Sequence, residues 1–137
     1  MKSADEPGYM QPRRAKDRDL VMVVVGPRTI TNRSVVWGVL DRAHRHKSIA
    51  ALVHGGTPGV ERLAGEWAAR IGLRVEVCRG EWVRDEEIAV LQRNGRMLRD
   101  YRPDGVIIFP GAVFGDDMAA RAGAARIAVW HPRVSHR

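Results

Sequence analysis

A chain of 137 residues has room for one domain with a substantial core, and not for two. Its 45% hydrophobic and 28% charged residues are ordinary for a soluble globular protein, and no apolar run approaches the roughly 18 residues of a membrane span. The net charge of +7 comes from 23 Lys and Arg against 16 Asp and Glu. Most of the basic residues are arginines spread singly, which suits a modest anion-binding surface rather than a dedicated DNA-binding stripe. A single cysteine, Cys78, permits no internal disulfide and no cysteine metal cluster, so the expected compartment is a reducing cytoplasm.

In chain order, residues 1–18 carry charges of both signs and no apolar patterning. They are expected to be a disordered tail and not a secretory signal. Leu20 to Val25 is a continuous, mostly β-branched run closed by Gly26-Pro27. Such a run predicts a strand buried on both faces, as in parallel sheets. Val35, Val36, Val39, Leu40 and Ala43 then recur at helical spacing, with Asn32 or Ser34 as the N-cap. Ile49 to Val53 is a second apolar run, ending in His54-Gly55-Gly56. A second helix follows on Leu63, Ala64, Trp67, Ala68 and Ile71, stopped at Gly72.

Leu73 to Val77 alternates, which predicts a strand near a sheet edge. Residues 84–102 read as a long polar helix with Ile88, Leu91 and Leu98 as its buried stripe and Gly95 as a break or kink. Val106 to Phe109 is a fourth strand, 118–125 a short alanine-rich helix, and Ile127 to Trp130 a last strand. Five strands alternating with helices predict one Rossmann-like α/β domain over residues 19–131. It has a mainly parallel five-stranded sheet, helices on both faces and a C-terminal tail at 132–137. In such a sheet, ligands sit beyond the carboxyl ends of the strands.

Three loops at those ends stand out. Gly26-Pro27-Arg28 follows the first strand, where Arg28 suits a phosphate. His54-Gly55-Gly56-Thr57-Pro58-Gly59 follows the second and reads as a cradle of backbone N–H groups, with Glu61 in the next helical turn. It is neither a Walker loop nor a dinucleotide fingerprint. Pro110-Gly111 to Gly115 follows the fourth strand, with Asp116 or Asp117 as the next N-cap. Trp82 follows the third strand and alone among the four tryptophans is placed to touch a ligand. Neither a catalytic triad nor a metal site is visible.

Taken together, these motifs resemble the SLOG superfamily, in its YspA-like, cpYpsA-related branch. The resemblance rests on Gly26-x-Arg28 with Asn32, His54-Gly55-Gly56-x-x-Gly59, Arg62-Leu63-Ala64-x-x-Trp67-Ala68 and Trp82. Arg93-Asn94-x-x-Met97, Phe109-Pro110-Gly111 and Asp117-Met118 extend it, so that it runs from about Leu20 to Trp130. It implies a nucleotide or nucleotide-derived ligand, such as ADP-ribose, NAD or an AMP-like molecule, held by Gly26, Arg28, His54, Gly55, Gly56, Thr57, Gly59 and Glu61. Trp82, Arg93, Asn94, Pro110, Gly111, Gly115 and Asp117 would complete the site, without a metal.

Two departures are visible. Ala112-Val113-Phe114-Gly115 replaces the relatives' Gly-Gly-x-Gly-Thr loop, and Met118 stands where the Lonely Guy phosphoribohydrolases place a catalytic glutamate. One alternative reading is therefore an N-glycoside hydrolase of nucleoside monophosphates using Glu61 or Asp117. Another is single-stranded nucleic-acid binding through the net basicity. A homodimer is a further expectation by analogy; a membrane partner is not.

Overall fold

The computed structural model describes residues 20–79 and 85–134. Five strands and four helices alternate along it: β1 (Leu20–Val25), α1 (Arg33–His46), β2 (Ile49–His54), α2 (Val60–Arg70), β3 (Arg74–Val77), α3 (Glu86–Tyr101), β4 (Gly105–Ile108), α4 (Gly115–Ala124) and β5 (Ala128–Trp130). All strand pairs are parallel, in the order β3-β2-β1-β4-β5. Order reverses at β1, whose neighbours are β2 on one side and β4 on the other. That makes the carboxyl ends of β1 and β4 the topological switch point.

Strand alternation divides the core into two layers. Val24, Leu52 and Ile107 face α1 and α2, packing on Val36, Leu40, Val60, Ala64 and Trp67. Val23, Val25, Val53, Val106 and Ile108 face α3 and α4, packing on Met97, Leu98, Met118 and Ala122. The unbroken apolar run of β1 is thus buried on both faces, and β3, whose sequence alternates, is an edge strand. Asn32 caps α1, its side chain accepting from the N–H groups of Ser34 and Val35. Trp67 ties α2 to α1 by donating to Asp41 at 2.8 Å while it packs edge-on against His44.

Three expectations are corrected. The buried face of α3 carries Arg93, Asn94, Met97 and Leu98, whereas Ile88 is 47% exposed. Gly95 does not interrupt the helix. At the start of α4 the cap is Phe114, with φ 54°, and Asp116 and Asp117 lie in the first turn without capping it.

Candidate functional site

The β1 and β2 loops are welded together by close backbone approach. A β-carbon on Gly26 would lie 2.5 Å from the Val60 β-carbon, so the first residue of α2 rests directly on this glycine. Gly59, at φ 85° and ψ −131°, occupies a region that only glycine enters freely. A β-carbon there would meet the Pro27 carbonyl oxygen at 2.5 Å. Val60 N–H completes the junction by donating to that same oxygen at 3.3 Å. On the other side of β1, Gly111 lies against the Pro27 ring, so three loops meet along the carboxyl edge of the sheet.

Between them lies a buried polar cluster. Glu61 is 1% exposed, Asn94 1%, His54 6% and Arg93 7%. Glu61 Oε1 accepts from Gly55 N–H at 2.8 Å and from Thr57 N–H at 3.4 Å. Its Oε2 faces Arg93 Nη2 at 3.5 Å. Gly55 has no side chain because the Arg93 guanidinium occupies that space; a β-carbon would collide with it. Gly56 N–H donates to His54 Nδ1 at 3.0 Å. Burial, followed by the charges of Arg79 and Arg93, lowers the His54 pKa to about 4, so the imidazole is neutral at neutral pH.

These contacts change the sense of the glycine loop. The N–H groups of Gly55, Gly56 and Thr57 are already taken by the Glu61 carboxylate and His54. Glu61 thus fills, from within the chain, the anionic position that an N–H cradle would offer to a phosphate. Arg93 is left underused. A guanidinium has five N–H donors; this one makes a single long contact with Glu61. Among the buried side-chain nitrogens and oxygens of the described residues, its Nε is the one without a hydrogen-bond partner.

On the β4 side, Asn94 donates to the Phe114 carbonyl at 3.2 Å and to Asp117 Oδ2 at 3.1 Å, fixing the loop that leads into α4. Arg121 holds the same carboxylate oxygen at 2.7 Å. Partial burial opposes the charge on Asp117. The hydrogen bonds from Asn94 and Arg121, with the Arg121 charge, outweigh it and lower the pKa. A hollow of about 370 Å3 opens here, with Phe109, Pro110, Phe114, Gly115, Asp116 and His131 in its wall. Met118 is fully buried beneath it.

The predicted residues therefore fall into groups. Glu61, Arg93, His54, Gly55, Gly56 and Thr57 form one contiguous cluster, and Asn94, Pro110, Gly111, Gly115 and Asp117 gather at the β4 loop. Gly26 and Gly59 serve loop packing. Arg28 is exposed beside Gly59, and Trp82 lies outside the described residues. Sequence reasoning passed over Arg79, whose guanidinium approaches Gly56, together with Phe114 and His131. A larger hollow, about 910 Å3, lies at the opposite end of the sheet among Leu20, Met22, Gly105, Ala128 and Trp130 under the last turn of α1. Its floor is apolar, its rim carries Arg42, Arg45, His46, Lys47 and Asp104, and it lies away from the carboxyl ends of the strands.

A five-stranded parallel sheet with helices on both faces and its strand order reversing at β1 defines a Rossmann-like domain of the α/β class. Within that class the chain belongs to the YspA, cpYpsA-related SLOG family, whose model matches residues 20–84. It is 32% identical over 84 residues to the Gene 61 protein of Mycobacterium phage D29, covering 57% of this chain and 67% of that protein. Among solved structures it is similar to a UDP-N-acetylglucosamine 2-epimerase, with TM-score 0.53 and 15% identity over 85% of this chain and 32% of that one. The UDP-GlcNAc 2-epimerase of Neisseria meningitidis, solved with UDP-GlcNAc, gives 0.52 and 14% over 81% and 31%. The chain spans about a third of these enzymes, and the likeness is one of fold. Among the described residues, no helix is long and apolar enough to cross a membrane.

Proposed function

We propose that the protein binds a nucleotide or nucleotide-derived ligand at the carboxyl edge of its sheet, with the anionic group recognised by Arg93 and Arg28. The observation that carries this reading is the orphaned Nε of Arg93. A buried donor without a partner costs about 1–3 kcal/mol, more when the group is charged, and an anion seated against the guanidinium would remove that cost. Membership of the family and the position at the switch point support the same site. Arg28, and Arg79 above Gly56, add positive charge on that side.

The role is binding rather than glycoside cleavage. Of the two candidate carboxylates, Glu61 is sealed into the loop and the Arg93 pair, and Asp117 is held by Asn94 and Arg121. Neither stands ready to stabilise an oxocarbenium-like charge. The test is a thermal-shift and titration series with inorganic phosphate, AMP, ADP-ribose and NAD, alongside an assay for released base. At 100 times its dissociation constant a ligand adds about 2.7 kcal/mol of stability. A rise in melting temperature that Arg28→Ala diminishes, without base release, is expected. Rapid turnover of AMP would replace binding by hydrolysis.

A further inference from the structure

Charge is divided across the carboxyl edge of the sheet. Around β1 and β2 the excess charge is that of Arg28 and Arg79, since Arg93 and Glu61 offset each other. In the first turn of α4 the excess charge is negative and belongs to Asp116, because Asp117 is paired with Arg121; both carboxylates offset the positive end of that helix. The open Asp116 carboxylate makes that end of the site the less favourable one for a phosphate. That end is also more apolar and aromatic, since Phe109, Pro110 and Phe114 join His131 around the hollow. Phe114 is held at φ 54°, a conformation that costs a residue with a β-carbon about 1 kcal/mol or more, and Asn94 fastens its carbonyl. Asp117 is occupied by Asn94 and Arg121, whereas no hydrogen bond or ion pair engages Asp116 among the described residues.

We propose that the β4 hollow is the base-recognition half of the site, selecting a nucleotide whose base carries an exocyclic amine. The base stacks on Phe114 and donates its amine to the Asp116 carboxylate, while the phosphate lies toward Arg93. This inference rests on the nucleotide reading given above and assigns the ligand its direction. The ends of β2 and β4 are separated by two inter-strand spacings, roughly 9–10 Å, which a nucleotide can bridge. An aromatic face is tolerant of which base it stacks. Discrimination therefore falls to the carboxylate, which accepts from an amine and repels a carbonyl oxygen.

The experiment is equilibrium titration of the full chain with ribose 5-phosphate, AMP and IMP, using wild type, Phe114→Gly and Asp116→Asn. Melting curves establish that each variant is folded; glycine suits the positive φ at 114, and Asp116 is exposed. AMP is expected to bind about tenfold or more tightly than IMP, the margin of one charge-assisted hydrogen bond. Asp116→Asn brings the two within about twofold, for the same reason. Phe114→Gly lowers AMP toward ribose 5-phosphate and leaves the sugar phosphate unchanged. Equal affinity for AMP and ribose 5-phosphate would overturn the base half while leaving the phosphate half standing. Failure of all three to bind would overturn the nucleotide reading and this inference with it.

Discussion

Replacing Glu61 by glutamine tests the buried cluster most sharply. The substitution keeps the shape and leaves an oxygen to accept from Gly55 N–H, now 2.8 Å from Glu61. It deletes the negative charge opposite Arg93, at a pair whose side chains are 8% and 2% exposed. Removing one partner of a buried ion pair costs about 3–5 kcal/mol because the other charge is left uncompensated. The long, single contact of 3.5 Å places this pair at the lower end, about 3 kcal/mol. For a domain of this length that is a fall in melting temperature of roughly 10–15 °C. Adding Arg93→Met to Glu61→Gln removes the stranded cation and is expected to recover most of the loss. Thermal melts followed by circular dichroism read both. A Glu61→Gln protein melting within about 2 °C of wild type, or a double variant no more stable than the single one, would refute the reasoning.

Three further outcomes are expected. His54 is neutral in the folded protein down to about pH 4 but takes a proton near 6.5 when unfolded, so the unfolded state binds more protons between those values. Stability therefore falls by about 3 kcal/mol as pH drops from 6.5 toward 4, and urea midpoints for His54→Gln show a shallower fall; parallel curves would remove His54 from the account. Gly26→Ala forces a β-carbon to within 2.5 Å of Val60 and costs about 1–3 kcal/mol, readable as a lower urea midpoint at an unchanged m-value. Asn94→Ala frees the Phe114 carbonyl and Asp117, and is expected to lose about 1–3 kcal/mol in the same assay.

Much of the fold was legible in the residues. The uninterrupted run of β1 announced a strand buried on both faces, and the alternation of β3 an edge. Glycine and proline marked most ends of elements, so the loops at the carboxyl edge could be named from the sequence. The α3 stripe was misread because periodicity follows apolar residues. Here the buried face near the middle of the helix is polar, spent on Arg93 and Asn94 for the site, while Ile88 is left in solvent. At α4, capping preference pointed to an aspartate, yet the tertiary bond from Asn94 helps hold Phe114 in the left-handed region instead.

The glycine cradle was located correctly as a loop, but its N–H groups turned out to be spent internally. Three glycines within five residues look the same whether a phosphate or a neighbouring carboxylate satisfies them. The available signal was Glu61, placed in the first turn of α2 where its side chain reaches back to Gly55. Arg79 and His131 gave no pattern of their own; only the folded sheet brings them near the edge.

The central claim is that the underused Arg93 guanidinium receives the ligand's anion. Its Nε–Hε resonance, identified in 15N-labelled protein by its disappearance in Arg93→Lys, reports that donor directly. Titration with AMP is predicted to shift this signal to a hydrogen-bonded position, saturating with the binding isotherm, while the Gly55 amide, already bonded to Glu61, moves little. Saturable binding of AMP with the Arg93 resonance unmoved would contradict the account and place the anion elsewhere.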